Sequence, residues 1–117
     1  MKKYSTLRNY KFFKKEYTHF VVFVKCGTVL KTDDSDALIV HFLLGLNDDK
    51  QRFVISKYEF RDLLHILLKN GLNVAVVGWK NAQEYYCEEE CDYVKIRNES
   101  KNYFRNKENA TISSVHY

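Results

Sequence analysis

At 117 residues the chain holds one domain with room for a core of its own, and a hydrophobic content of 45% is that of a globular rather than a disordered protein. A net charge of +4 permits contact with nucleic acid without requiring it, because many solvated surfaces carry as much. No apolar run reaches the roughly 18–20 residues that span a bilayer, and the start Met1-Lys2-Lys3-Tyr4 is followed by Tyr, Lys and Phe rather than an apolar signal core, so a cytoplasmic protein with no membrane contact is expected.

The three cysteines are an odd number in a chain without a secretory signal, which makes reduced thiols the expectation. Charge is unevenly spread. Lys2, Lys3, Arg8, Lys11, Lys14 and Lys15 stand near the start against Glu16, and Lys95, Arg97, Lys101, Arg105 and Lys107 stand near the end against Glu99. Acidic runs at Asp33, Asp34, Asp36 and at Glu88, Glu89, Glu90 lie between them.

Leu7, Tyr10, Phe13 and Tyr17 recur at steps of three and four, which predicts a helix over 4–17 with the lysines mostly off its apolar face. Residues 20–26, Phe-Val-Val-Phe-Val-Lys-Cys, read as a buried strand that Gly27 ends in a tight turn. Val29-Leu30-Lys31 adds a short second strand. Asp33 or Asp34 is placed to cap a helix over 34–44, where a carboxylate meets the free N–H groups of the first turn. Asn47-Asp48-Asp49-Lys50 is a solvated turn, and 51–55 a strand with Phe53 and Ile55 on one face.

Ser56-Lys57-Tyr58-Glu59 has the capping-box pattern and predicts a helix over 56–70, with Phe60, Leu63, Leu64, Leu67 and Leu68 as its apolar stripe and Gly71 as its stop. Leu72 to Trp79 is a second buried strand. Beyond it the reading is a polar helix over 80–92, an alternating edge strand at Tyr93-Val94-Lys95-Ile96-Arg97, and a partly ordered polar tail over 98–117 whose last stretch is expected to fray. The domain is therefore expected to occupy 1–97. The predicted fold is a single α/β (α+β) domain with a mixed sheet of about four to five strands flanked by helices.

Taken in this order, residues 10–79 resemble the N-terminal, mismatch-recognition domain of the DNA mismatch-repair protein MutS. The elements that carry the resemblance are a helix bearing Tyr10 and Lys14, the apolar strand Phe20-Val21-Val22-Phe23 running to Gly27, and Asp36-Ala37 at a helix start. Phe53-Val54-Ile55, the stripe of 56–70, Gly71 and Val74-Ala75-Val76-Val77 complete the set. The resemblance implies the mixed-sheet fold of that domain. In the family a Phe-x-Glu motif follows the glycine, its Phe stacking on a mispaired base and its Glu bonding the base edge. Val29 and Lys31 occupy those positions here. Valine has no π-face and lysine no acceptor, so mismatch reading by that mechanism is not expected. A chain of this length also lacks room for the clamp and ATPase domains, which makes a stand-alone relative the expectation, of a kind that fits a phage or mobile-element setting.

Several groupings of residues carry chemistry. Lys11, Lys14, Lys15, Lys25 and Lys31 with Tyr10 suggest a basic, aromatic-interleaved face that neutralises phosphates and stacks on unpaired bases, DNA and RNA not being distinguished; the plainer reading is a solvated helix over an aromatic core. Tyr85, Tyr86, Tyr103 and Phe104 offer a protein-binding surface, Tyr being favoured at interfaces; otherwise they cover the sheet.

Cys87 and Cys91, one helical turn apart, make half of a zinc site, but Cys26 sits in a buried strand, His116 in the tail, and a structural site brings four ligands. His19, His41 and His65 fall in separate elements and do not suggest a thiol–His pair with Cys26. Asp33, Asp34 and Asp36 look more like helix caps than a two-metal nuclease cluster, which needs carboxylates from separate elements. The expected role is non-enzymatic, without cofactor or metal: an accessory protein that binds nucleic acid, or alternatively a protein-interaction module using its Tyr-rich C-terminal region.

Overall fold

The structure is a computed structural model that describes residues 6–46, 51–78 and 80–115, with side chains described from Asn9 to Glu108 inside those bounds. The expected turn at 47–50, Trp79 and His116 lie outside the described residues, as does the side chain of Leu7. The elements run α1 (Thr6–Lys14), β1 (Phe20–Cys26), β2 (Val29–Asp33), α2 (Asp34–Leu44), β3 (Arg52–Ser56), α3 (Phe60–Lys69), β4 (Asn73–Val77), β5 (Ala82–Tyr85) and α4 (Tyr93–Val115). The strands form one five-stranded mixed sheet in the order β3-β2-β1-β4-β5.

β1 pairs in parallel with β4, and the other neighbours are antiparallel. β1, β3 and β4 therefore finish at one end of the sheet, called the upper end below, where β2 and β5 begin. Gly27 turns β1 into β2 there with φ +63°, a left-handed conformation that suits a residue without Cβ. Register fixes the two faces. Val21, Phe23, Val74 and Val76 point to one face, where Leu30, Ile39, Val40, Phe60, Leu63, Leu67, Leu72, Tyr93 and Ile96 complete the larger core. Val22, Val24, Ala75 and Val77 point to the other and are covered by Tyr10 and Tyr17 from α1 and the turn after it. The runs 21–24 of β1 and 74–77 of β4 are thus apolar at every position because each is buried on both sides.

The predicted elements hold through Val77, with shifted bounds. α1 is shorter than 4–17, and Tyr17 lies in the turn that follows it, its N–H donating to the Phe13 carbonyl at 3.1 Å. α3 begins at Phe60 rather than Ser56. Ser56 Oγ does accept from the Glu59 N–H, at 3.3 Å, and from the Tyr58 N–H, at 3.1 Å, so the half of the capping box that faces the chain exists as a turn ahead of the helix. Gly71 stops α3 with φ +81° as expected.

After Gly78 the sequence expectations fail. The segment 80–92 is not a helix: Ala82–Tyr85 is a strand antiparallel to β4, followed by a loop. Its outer edge and short length keep it polar, so it shows no two-residue period. Tyr93-Arg97 is not an edge strand but the first turn of α4. Its alternation is accidental, because the residues that bury are Tyr93, Ile96, Ser100 and Phe104, at helical steps. The expected boundary at 97 falls inside one helix that continues to Val115 and packs on α2, with Tyr103 against Phe42 at 5.4 Å between ring centroids. Buried Ser100, whose hydroxyl donates to the Ile96 carbonyl at 2.8 Å, keeps the helix surface small at that contact.

Candidate nucleic-acid interface

The structure divides the expected basic face. Lys25 shares its register with Leu30, and Lys31 with Val24, so the two lysines project from opposite faces of the sheet. Lys31 is on the α1 side, half-buried, while Lys11 is exposed on α1 and Lys15 in the turn that follows it. Tyr10 and Lys14 are not surface residues. Tyr10 is 2% exposed, and both side chains end on the carboxylate of Asp36, which is fully buried.

Asp36 is the centre of that arrangement. Its Oδ2 accepts from the Tyr10 hydroxyl at 2.8 Å and from the Val22 N–H at 2.9 Å, and its Oδ1 accepts from the Tyr93 hydroxyl at 2.6 Å. Lys14 Nζ lies 3.0 Å from Oδ2, also donates to the Phe20 carbonyl, and sits 4.4 Å above the Tyr93 ring. The β1–β2 ladder covers only Val24 to Cys26, so Val22 lies where β2 has splayed away, and Asp36 enters the gap to satisfy its N–H.

One carboxylate thus ties α1, β1, α2 and α4 together, with the hydrogen bonds that a buried charge requires. Burial pushes the Tyr10 and Tyr93 hydroxyls well above the ordinary tyrosine range, the neighbouring Asp36 charge adding to it. Burial lowers the Lys14 ammonium, and Asp36 opposes that shift. The pair is therefore structural.

Three exposed lysines stand together at the upper end of the sheet, apart from those on the α1 side and on α4. Lys25 is the last residue but one of β1, with its stem against Gly78: a methyl group added to that glycine would meet Lys25 Cδ at 3.3 Å. Lys57 follows β3 directly, its N–H donating to the Thr28 carbonyl in the β1–β2 turn at 3.0 Å. Lys80 is exposed in the β4–β5 turn, which the Gly78 N–H closes onto the Asn81 carbonyl at 3.0 Å. Among the described residues neither Lys25 nor Lys57 takes part in an ion pair. Strands about 4.8 Å apart spread these cations over roughly 20 Å of sheet edge, a span that meets several phosphates.

Tyr58 stands beside them, 78% exposed. Sequence reasoning misses Lys57, Tyr58 and Lys80 because Ser56-Glu59 reads as the start of a helix and Lys80 as part of one. The signal that could have found them is that Tyr58 falls off the apolar stripe Phe60, Leu63, Leu67.

The lower end is acidic. An open groove of about 800 Å³ there is lined by His65, Lys69, Tyr86, Glu88, Glu89, Glu90 and Asp92, among others. Of the expected partner-binding residues, Tyr86 is 59% exposed beside this groove, while Tyr85 is half-buried against the larger core with its hydroxyl on Gln83 Oε1 at 3.2 Å. Tyr103 is exposed on α4. Phe104 is 4% exposed and belongs to the core, which corrects its place in a binding surface. The four residues do not form one patch. Tyr86 and Tyr17 both donate to the Glu84 carboxylate, Tyr17 at 2.7 Å, and this hydrogen bond pushes the Tyr17 hydroxyl up to about 12 while the two bonds lower Glu84.

Asp33, Asp34 and Asp36 do not behave as helix caps. Asp33 holds the N-cap position without a side-chain cap bond and turns to Arg52 Nε at 3.2 Å instead, Asp34 is exposed, and Asp36 faces inward. His41 is buried with Nε2 on the Arg52 carbonyl at 3.0 Å, whereas His19 and His65 are exposed. Cys87 and Cys91 are free thiols in a loop rather than on a helix, burial and the nearby Cys91 both raising Cys87. Among the described residues no three His, Cys, Asp or Glu side chains group as metal ligands, and no described helix is long and apolar enough to cross a membrane.

No curated protein matches the sequence. The family model described as MutS domain I matches residues 5–105, a span that takes in all five strands, α1 to α3 and the packed half of α4. The chain belongs to the MutS domain I family.

Proposed function

We propose that this chain is a non-enzymatic DNA-binding accessory protein that sets the upper end of its sheet against the phosphate backbone. The observation that carries the reading is the row of exposed cations at one end of a MutS domain I sheet: Lys25 near the end of β1, Lys57 in the turn after β3, and Lys80 in the β4–β5 turn. The opposite end holds Glu88, Glu89, Glu90 and Asp92, so the charge distribution orients the domain with its upper end toward a polyanion. Lys11, Lys15 and Lys31, on the α1 side, extend the positive field. Val29 and Lys31 do not supply a stacking ring or an acceptor, so affinity rests on phosphates more than on a base edge.

Fluorescence anisotropy with labelled single-stranded, duplex and mismatched DNA, and with RNA, at low and physiological salt tests the reading. Binding that weakens steeply with salt is expected. The combined Lys25→Ala, Lys57→Ala and Lys80→Ala variant should flatten the salt dependence by roughly 0.9 in log–log slope for each phosphate it no longer neutralises. No binding at low salt, or an unchanged slope in that variant, contradicts it. A protein-interaction role is the second reading, favoured by exposed Tyr86 beside the acidic groove; it predicts a partner whose binding Tyr86→Ala abolishes and the lysine variant retains.

A further inference from the structure

The turn between β3 and α3 holds an aromatic ring outward from the cationic end of the sheet. Two anchors fix its backbone. Lys57 N–H donates to the Thr28 carbonyl, and Ser56 Oγ accepts from the N–H groups of Tyr58 and Glu59. Register places Ser56 opposite Val29, so the ring rises next to the β1–β2 turn. The anchored backbone contrasts with a side chain that is 78% exposed, more so than Phe12 at 65% or Tyr86 at 59%. Lys57 Nζ sits over one face of the ring, 5.3 Å from its centroid, and a side chain 78% exposed leaves ring surface open for a base; Lys25 belongs to the next strand but one. A preset turn loses little conformational entropy on binding, and an aromatic face flanked by phosphate-neutralising cations is the arrangement that takes an unstacked base. A protein partner would more often meet a ring set among apolar neighbours than one set among lysines.

We propose that Tyr58 stacks on an unpaired base of the bound DNA while Lys57 and Lys25 hold the phosphates beside it. This rests on the DNA-binding reading above and adds a preference for unpaired bases that Val29 cannot supply. The test is equilibrium binding of wild type, Tyr58→Ala and Tyr58→Phe to three labelled probes: oligo-dT, a matched duplex, and the same duplex with one bulged thymine. Circular dichroism melts check that each variant is folded. Tyr58→Ala should bind oligo-dT and the bulged duplex about 5- to 150-fold more weakly, the range for removal of one base–aromatic stack, with the matched duplex within about twofold of wild type. Tyr58→Phe should retain the preference.

Equal binding of all probes by Tyr58→Ala and wild type overturns the stacking assignment and leaves DNA binding in place. A uniform weakening across all three probes overturns it also, since it marks a general contact. Wild type that binds none of the probes overturns this inference and the DNA-binding reading together.

Discussion

Asp36 is the residue on which the packing of this domain turns, and its chemistry is of the kind that a substitution exposes. Asp36→Asn keeps the shape but leaves Lys14, whose side chain is 20% exposed, without its counter-charge. A cost of about 3–5 kcal/mol is expected, read as a fall in the urea midpoint, against less than about 0.5 kcal/mol for Asp34→Asn at the exposed neighbour. The tyrosines on and near this centre make stability depend on alkaline pH. Tyr10, Tyr17 and Tyr93 all have raised values, Tyr17 about 12, so the native state keeps protons that the unfolded chain loses near pH 10.0.

Their contribution is full below pH 10 and drains away above it; Lys14, lowered by burial, works in the opposite sense, with stability rising with pH up to 10.5. Three raised groups outweigh one lowered group, and the expected result is a urea midpoint that falls above pH 10. Tyrosinate absorbance should meanwhile report that Tyr10 and Tyr93 ionise only on unfolding. At this scale the sequence is partly legible. Tyr10 and Lys14 are recognisable as a helix pair, but their side chains point at a carboxylate 22 to 26 residues away, and no local pattern discloses that contact.

Among the elements, α4 departs furthest from expectation. Its buried residues Tyr93, Ile96, Ser100 and Phe104 are separated by enough charge and Asn that the segment reads as a solvated tail, and the burial becomes visible only once α2 lies against it. Phe104→Ala should cost about 3–5 kcal/mol by thermal or urea melt, as for a buried aromatic, whereas Tyr103→Ala, 47% exposed, should cost markedly less. Ending the chain at residue 97 should separate α2 from its cover and lower the melting temperature sharply, since it exposes Phe42 and deletes Ser100 and Phe104.

β5 escapes sequence reasoning for a related reason: a short edge strand owes its form to β4, and Gln83 and Glu84 carry no strand preference of their own. The elements up to Val77 are legible because their apolar positions repeat at the period of the structure they form, and because Gly27 and Gly71 mark turns that need a left-handed residue.

For the whole molecule the proposed function rests on polarity of charge along the strands, with Lys25, Lys57 and Lys80 at one end and the Glu88–Glu90 loop at the other. The lysine grouping read from sequence mixes residues that the fold separates, because faces follow from register, and the pairing of Lys25 with Leu30 is not contained in either strand alone. The family and the sheet are recoverable from the order of elements; the proposed interface is not, because it joins the end of β1 to two turns that are adjacent only across strands.

The most direct measurement is a titration of isotope-labelled protein with a short DNA followed by amide chemical shifts. Binding at the upper end predicts the largest changes at residues 25–29, 56–59 and 78–82, with 65–71 and 86–92 unmoved. Changes concentrated around the acidic groove, or none at low salt with DNA in excess, would contradict that orientation.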